Sequence, residues 1–259
     1  MAALHIEPYH TEIRPRRVDL HLHTVVSPCA EVEMIPPLIV ERALELDLDA
    51  IAVTDHNTAE NVAAVQRAAS GTGLQVIPGM EVQTREEVHV LCLFDTLEQI
   101  MDWQEFVYAH LPPLKNREQI FGAQFVVDET GDFIRMNERL LLTSTDLSIE
   151  RVVEQVCARS GLAIAAHVDR QAFSLLASLG FVPEGLQLAA LEITHRITRE
   201  NALERFPQIR GWPLISSGDA HRLSEIRVGT IVMVDKPITV RKLAMAFTQQ
   251  QGHSIVLSS

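Results

Sequence analysis

The feature of this sequence that most restricts its fold is the alternation of short apolar runs with longer helix-like stretches. The apolar runs have the length of a strand and cover residues 18–23, 50–54, 74–78, 88–94, 162–166, 189–193, 213–217 and 228–234. Stretches with helical spacing lie between most of them, at residues 37–46, 59–69, 96–110, 149–160, 171–179, 198–206 and 239–250. Such alternation predicts an α/β fold with a mostly parallel sheet and right-handed crossover connections.

The number of predicted strands favours a barrel over an open sheet for a single domain of this size. The chain has 259 residues, of which 47% are hydrophobic, and this is enough to bury a large core. We therefore predict one barrel domain over residues 1–259. No apolar run reaches the roughly 18 residues that a membrane-spanning helix requires, so we expect no membrane span.

One segment, residues 111–145, interrupts the alternation. It begins with a pair of prolines and continues with two short β-like runs at residues 124–127 and 133–135. The turn-rich residues 128–132 between these runs predict an inserted hairpin. Long structured loops in compact domains are often functional, so the insertion is either a lid over a site or a plain surface excursion.

The first predicted strand carries two histidines. Because side chains alternate between the two faces of a strand, His21 and His23 are expected to share one face with Asp19. Two imidazoles that lie two residues apart on one face can bind the same metal ion, which suits zinc, iron or manganese. A pair of hydrogen-bonded histidines with no metal is the simpler explanation of this motif on its own.

Further metal-capable residues stand at or near the ends of other predicted strands. They are Asp-His after the second strand at 55–56, a glutamate after the third at 81, a histidine in the fourth at 89, Ala-His-Val-Asp-Arg after the fifth at 166–170, and Gly-Asp-Ala-His after the seventh at 218–221. In a β/α barrel the carboxyl ends of the strands build the active site, so these residues are expected to converge. Buried carboxylates and imidazoles need partners, and this number of them together predicts a metal cluster.

In this order, the motifs HxH, TDHN, a glutamate after strand three, a histidine on strand four, AHxxR and GDAH resemble those of the polymerase-and-histidinol-phosphatase (PHP) superfamily. The resemblance covers roughly residues 18–230. It implies a distorted, TIM-like (β/α)7 barrel, so one of the eight predicted strands would be misassigned or peripheral. It also implies two or three divalent metal ions (Zn, Mn or Fe) and the hydrolysis of a phosphoester.

The resemblance implies three groups of metal ligands, which are His21, His23 and Asp219 for one ion, His89 and His167 for a second, and His56 and His221 for a third. Glu81 would bridge the first two ions. Asp55 would support an imidazole through its ring N–H, or supply a proton to the leaving oxygen, as His195 could also do. Arg170 would bind the substrate phosphate, for which a bidentate guanidinium is suited, or else form a surface ion pair.

The sequence departs from the family in the loop after the first strand. Relatives commonly have Ser-Asp-Gly there, or a histidine at the next position, which gives the third metal its last ligand. Here Pro28 occupies the aspartate position, and its side chain cannot bind a metal. Cys29, Glu31 and Glu33 are the remaining candidates, or the third site is weak or empty. A thiolate would favour zinc, whereas a carboxylate is compatible with zinc, iron or manganese.

Charge and cysteine content restrict the partners and the compartment. The formal net charge of −12 repels a polyanion, so we expect no binding to long nucleic acid, although part of that charge belongs to the predicted metal ligands. The three cysteines are widely spaced and odd in number, which predicts a reducing, cytoplasmic location. Residues 1–17 hold no apolar stretch, so we expect no secretory signal there. The sequence gives no indication of the oligomeric state.

Together these features predict metal-dependent hydrolysis of a phosphoester in a small metabolite or short nucleotide, with the metals activating the attacking water. An amidohydrolase-type barrel, which cleaves C–N bonds, also begins with HxH. That class typically uses a lysine or an equivalent bridging group from a middle strand, whereas Glu81 and the late Asp-x-His motif favour the phosphoesterase. A non-catalytic metal-binding module is a third alternative and predicts eroded ligands. Glu192 and His195, at the end of the sixth predicted strand, are candidates for lining the pocket.

Overall fold

The computed structural model describes residues 12–258. Residues 1–11, which hold most of the segment in which no secretory signal is expected, and residue 259 lie outside it. The strands are β1 (Arg14–Leu22), β2 (Ala50–Val53), β3 (Gln75–Gln83), β4 (His89–Leu93), β5 (Phe125–Val127), β6 (Phe133–Met136), β7 (Leu162–Ala165), β8 (Ala190–Glu192), β9 (Leu214–Ile215), β10 (Thr230–Val234) and β11 (Ser254–Leu257).

The α-helices follow the predicted helix-like stretches and add one short helix within the insertion. They are α1 (Pro36–Glu45), α2 (Val62–Ala68), α3 (Leu97–Ala109), α4 (Glu118–Phe121), α5 (Ile149–Ala158), α6 (Leu175–Leu179), α7 (Arg199–Arg205) and α8 (Val240–Phe247). Across residues 12–258, no helix is long and apolar enough to span a membrane.

Seven strands form a barrel in the order β1, β2, β3, β4, β7, β8, β9. The segment that follows β9 returns to β1, where a parallel bridge joins Leu22 to Ala220. The His23 N–H also donates to the Ala220 carbonyl at 2.9 Å. The barrel is therefore nearly closed, and the expected seven-stranded, TIM-like α/β architecture is confirmed.

The eighth predicted strand is β10, and it lies outside the seven. It pairs antiparallel with β1 over residues 14–18 and carries β11 on its other side. Within the barrel, β4 is antiparallel to both β3 and β7. The chain reverses at residues 84–88, with Glu87 in the left-handed region at a φ of 61°, so a hairpin joins β3 to β4. The other pairings within the barrel are parallel, in keeping with the mostly parallel sheet that the sequence predicts.

Two apolar layers hold the barrel together. Alternate strand residues, such as Ala52 and Ile164, form an interior cluster that Phe247 of α8 joins. The residues between them, such as Val53 and Ala165, pack outward against the helices. Burial of this apolar surface is the main term that favours folding.

Helix α5 illustrates how the outer layer forms from sequence. Ser148 caps its first turn by accepting a hydrogen bond from the Arg151 N–H at 3.2 Å. Buried residues at Ile149, Val152 and Val156 then repeat at the three-to-four-residue spacing of one helix face. This stripe packs against the outer layer of the barrel, which fixes the orientation of the helix.

The predicted hairpin is present in the insertion. Strands β5 and β6 pair antiparallel and form a two-stranded sheet separate from the barrel. The Asp128 carboxylate closes the turn between them by accepting the Thr130 and Asp132 N–H groups, each at 2.9 Å. Val126 and Leu141 of the insertion pack with Val26 of the loop after β1, so the insertion is attached to the barrel rim through a small core of its own.

Candidate metal centre

The predicted ligands converge at one rim of the barrel. His56 follows β2, His167 follows β7, and Asp219 follows β9. His89 is the first residue of β4. Because β4 runs antiparallel to its neighbours, its start lies at the rim where the other strands end, and this brings His89 to the same place as Glu81.

Strand β3 is longer than the sequence predicts. The expected end lies at the Pro-Gly pair 78–79, yet the strand continues to Gln83. A Cβ atom at Gly79 would lie 2.8 Å from the side chain of Thr54, so a residue without a side chain is needed where the neighbouring strands approach. Glu81 is consequently held within a strand and not in the loop that the sequence suggested.

The Glu81 carboxylate occupies the middle of the site and is only 1% exposed. Five imidazoles surround it: Oε1 lies 2.8 Å from His89 Nδ1, 3.2 Å from His167 Nε2 and 3.3 Å from His21 Nε2, while Oε2 lies 2.9 Å from His56 Nδ1 and 3.5 Å from His23 Nε2. Both oxygens thus have ligand nitrogens beside them, which is the arrangement that a bridging carboxylate requires.

Asp219 provides a second carboxylate to the cluster. Its Oδ1 lies 3.2 Å from His21 Nε2 and 3.3 Å from His23 Nε2, and its Oδ2 contacts the Arg170 guanidinium. The Arg170 side chain is 46% exposed, so it links the buried cluster to the rim. His221 bends back over the same loop, with its Nδ1 2.9 Å from the Asp219 carbonyl oxygen.

Three groups of side chains have ligand atoms close enough together to hold an ion. They are His21, His23 and Glu81; His56, Glu81 and His89; and His23, His56 and His221. The groups share members, so ions held by them would be neighbours. The grouping differs in detail from the one that the resemblance implied, because His23 stands with His56 and His221 as well as with His21.

The donor set fits divalent cations. Among residues 12–258, buried atoms without a hydrogen-bond partner include His89 Nε2 and His167 Nδ1, and such atoms are costly. The Nε2 atoms of His21 and His23 lie only 3.3 Å apart, where two lone pairs repel unless a proton or a cation lies between them. Imidazole nitrogen and carboxylate oxygen are ligands of zinc, iron and manganese.

The pKa shifts lead to the same conclusion. Burial opposes ionisation of Glu81, but the surrounding histidines, with His89 foremost, hold its pKa well below the usual range. Burial likewise lowers the pKa of His21, yet Asp219, Glu192 and Glu81 together raise it well above its ordinary value. The carboxylates therefore require nearby positive charge, which either protons or bound cations can supply.

The Glu192 carboxylate contacts two of the histidines, His21 and His167. Its Oε2 lies 2.9 Å from His21 Nδ1 and accepts the His167 backbone N–H at 3.0 Å. An Nδ1–H donated to Glu192 leaves His21 Nε2 free to act as a ligand. The sequence identified Glu192 only as a pocket-lining candidate, because its contact with His21 spans 171 positions of the chain.

Asp55 was expected to act in catalysis, but it lies too deep in the protein to face a substrate. It is fully buried and accepts the Thr24 N–H at 2.7 Å, the Thr24 hydroxyl at 2.8 Å and the Ser27 hydroxyl at 2.7 Å. Its link to a ligand passes through Ser27, whose Oγ lies 3.2 Å from His23 Nδ1. These contacts favour a positioning role for Asp55 over direct proton transfer.

Asp19 is a supporting residue that the sequence did not single out. The register of β1 against β2 shifts between Asp19 and Leu22. The Asp19 carboxylate accepts the Gly218 N–H at 2.9 Å and the Arg227 N–H at 3.0 Å. Asp19 thereby fixes the loop that carries the late Asp-x-His motif.

The three candidates for the missing ligand occupy different surroundings. The Cys29 thiol interacts with His221 and His56; burial raises its pKa, but these imidazoles outweigh that effect and lower the pKa to about 6. All three are exposed residues, and the structure gives no contact of the Glu31 or Glu33 side chain with these imidazoles. His195 is also exposed and lines a separate cavity of about 1100 Å³ beside β9, away from the three ligand groups.

Comparison with known proteins gives a consistent result. A protein-family model described as the PHP domain matches residues 19–173, more than half of the chain. The chain is 35% identical over 80 residues to the 5'-3' exoribonuclease Rnm of Salmonella typhimurium, a match that spans 29% of this chain and only 26% of that protein.

Two solved structures share the fold. The lesion-specific endonuclease PfuEndoQ from Pyrococcus furiosus superposes with a TM-score of 0.68 and 20% identity, over 93% of this chain and 58% of that one. A candidate metal-dependent phosphoesterase from Bifidobacterium adolescentis gives a TM-score of 0.53 and 19% identity, over 81% of this chain and 89% of that one. At these identities the likeness carries the architecture alone.

Proposed function

Since this chain belongs to the PHP domain family, we propose that it is a metal-dependent hydrolase of phosphoester bonds. The observation that carries the proposal is the Glu81 carboxylate, buried among five imidazoles and facing both ligand groups that contain it. Asp219 completes the anionic part of the same cluster. A non-catalytic module would be expected to have lost some of these side chains, and their assembly counts against that alternative.

We assign three separate roles to the residues of the site: metal binding, phosphate binding and positioning of the ligands. The three ligand groups would hold two or three divalent ions, which would activate water and neutralise phosphate oxygens when bound. Arg170 extends from Asp219 to the exposed rim, where its guanidinium can bind a phosphate and oppose the charge that develops there. Glu192 and Asp19 keep the ligands in place.

A groove beside the cluster supports a substrate larger than a single phosphate. Phe173 stacks on His89, with ring centroids 5.1 Å apart and an angle of 21°, and remains 45% exposed. It borders a cavity of about 1050 Å³, whose charged lining residues are Arg170, Arg196, Arg205, Asp169 and Glu204. In a chain of net charge −12, this local excess of arginine over carboxylate, together with the exposed ring of Phe173, favours a substrate with an additional anionic group and a flat ring, such as a short nucleotide.

The names of two relatives support a nucleotide over a non-nucleotide metabolite. One is an exoribonuclease and the other a lesion-specific endonuclease. They also count against the expectation that long nucleic acid is excluded, which otherwise rests on the acidic net charge. We propose that the substrate is a short nucleotide or the end of a nucleic-acid strand, because the arginine groove is local and the rest of the surface repels a long polyanion.

The test is a hydrolysis screen with the protein loaded separately with zinc, manganese and iron. The substrates are an aryl phosphate, a mononucleotide, a short oligonucleotide and a long duplex. We expect metal-dependent release of phosphate or nucleotide, fastest with the short nucleotides. Full activity of the metal-free protein would overturn the proposal, and so would tight metal binding with no hydrolysis of any phosphoester in the screen.

A further inference from the structure

The three-histidine group differs from the other two ligand groups in charge. The groups that contain Glu81 each include a carboxylate, whereas His23, His56 and His221 offer imidazole nitrogens alone. A divalent ion in this group would gain most from a further ligand that carries negative charge.

Only one of the three candidate anions faces this group. The Glu31 carboxylate is half exposed and lies 3.6 Å from the guanidinium of Arg222. Glu33 is exposed. The Cys29 thiol, in contrast, interacts with both His221 and His56, which are two of the three imidazoles in the group.

We propose that the Cys29 thiolate is the fourth ligand of a metal site with His23, His56 and His221, and that this site selects zinc. The inference rests on the proposed function only in treating the cluster as a metal centre. Thiolate is a soft ligand that zinc accepts readily, whereas manganese prefers oxygen ligands. On binding, the thiol proton is released to solvent as the sulfur–metal bond forms.

The backbone around Cys29 is built to hold the thiol in place. The Ala30 N–H donates to the Ser27 carbonyl at 2.9 Å, which closes a turn with Pro28 and Cys29 at its two central positions. Proline presets the backbone for the first of these positions. Pro28, which stands where relatives commonly have an aspartate, thus also fixes the turn that holds Cys29.

Two contacts anchor this turn from the barrel side. Asp55 accepts the Ser27 hydroxyl at 2.7 Å, and the same hydroxyl oxygen accepts the His56 N–H at 3.2 Å. On the far side of the turn, the Glu31 N–H donates to the His221 carbonyl at 2.8 Å. The turn is therefore tied directly to the segments that carry two of its proposed partner ligands.

The insertion supplies a third anchor. Gly122 has a φ of +95°, and a Cβ atom there would lie 2.7 Å from the Pro28 carbonyl oxygen. The Phe125 N–H donates to the Val25 carbonyl at 3.2 Å, just before the turn. These contacts make the insertion a support for the thiolate ligand, and they favour that role over both the lid and the plain surface excursion that the sequence left open.

Cobalt(II) provides a readout that is independent of catalysis. A thiolate bound to cobalt(II) gives a charge-transfer band in the near ultraviolet, which imidazole and carboxylate ligands do not give. We expect the full-length protein loaded with cobalt(II) to show this band. Cys29→Ser should abolish it and reduce the zinc content by about one equivalent per chain. Cys157→Ser, a matched change at a cysteine outside the cluster, should retain both.

Two further variants test the details. Cys29→Asp should restore the metal content without the band and should bind manganese better relative to zinc than the wild type does. Gly122→Ala should weaken the band by displacing the turn. Gly71→Ala is its control, because Gly71 also has a positive φ but has no atom within 4 Å of the added Cβ position.

A Cys29→Ser protein that keeps the band and its full zinc content would overturn the inference. Loss of one metal equivalent in Glu31→Gln or Glu33→Gln, with Cys29→Ser unchanged, would do the same. In either case the phosphoester hydrolysis could still stand. Failure of the wild-type protein to bind any divalent metal would instead remove the proposed function together with this inference.

Discussion

The metal centre has a strand-borne part and a loop-borne part, and the two are built differently. Glu81 lies on β3 and His89 on β4, where the ladder between these strands fixes both residues and buries them almost completely. Cys29 and His221 lie on loops, are more exposed, and depend on a few separate hydrogen bonds. We infer that the strand-borne part withstands local change, whereas the loop-borne part can be removed selectively.

The largest effect is expected at the centre of the strand-borne part. Glu81→Gln keeps the shape of the side chain but removes a charge that two ligand groups share. Turnover should fall by several orders of magnitude for every phosphoester, and metal content should fall with it. Kinetics and elemental analysis measure both, with Glu138→Gln, an exposed change, as the control. Near-normal turnover would refute the bridging role.

A smaller effect is expected from the support behind the strand-borne part. Glu192→Gln weakens the hydrogen bond to His21 Nδ1 and disturbs the contact with the His167 N–H. Metal affinity or activity should fall by about 10- to 100-fold, the range typical of residues that orient metal ligands. Metal titration with Glu200→Gln, on the surface of α7, as the control would show whether the loss is specific.

Removing the hairpin tests the loop-borne part. Replacing residues 124–135 by a short Gly-Ser link deletes the Phe125 contact with Val25 and loosens the support of the Cys29 turn. We expect the loss of about one metal equivalent per chain, with the strand-borne ligands still occupied. Unchanged metal content together with a raised KM for nucleotides would instead indicate that the hairpin is a lid. If neither the metal content nor the KM changed, the hairpin would be a surface insertion without a role in the site.

The smallest effect is expected at Arg170 on the rim, which belongs to neither the strand-borne nor the loop-borne part of the metal centre. Arg170→Lys retains the charge but loses bidentate binding of a phosphate. The KM for nucleotide substrates should rise by about tenfold, equivalent to roughly 1.4 kcal/mol, with a smaller change in kcat. Steady-state kinetics separate the two, and Arg151→Lys, in an exposed helix pair, is the control. An unaltered KM would show that Arg170 does not bind the substrate phosphate and only forms the ion pair with Asp219.

The sequence by itself determined the α/β barrel, the inserted hairpin and the set of residues that converge at the rim. These features depend on local composition, on alternation along each segment, and on the position of polar residues relative to strand ends. His21, His56 and Glu81 could therefore be identified without knowledge of the strands that pair with their own.

The tertiary structure decided the direction of β4, the length of β3 and the register shift at Asp19. It also decided that Glu192 supports His21 and that the insertion contacts the Cys29 turn through Gly122. Each of these features is a contact between segments far apart in the chain, and several different pairings satisfy the same local pattern. The choice among them is made by the packing of the whole barrel, because the stability of each strand pairing depends on the neighbours that all the other strands supply.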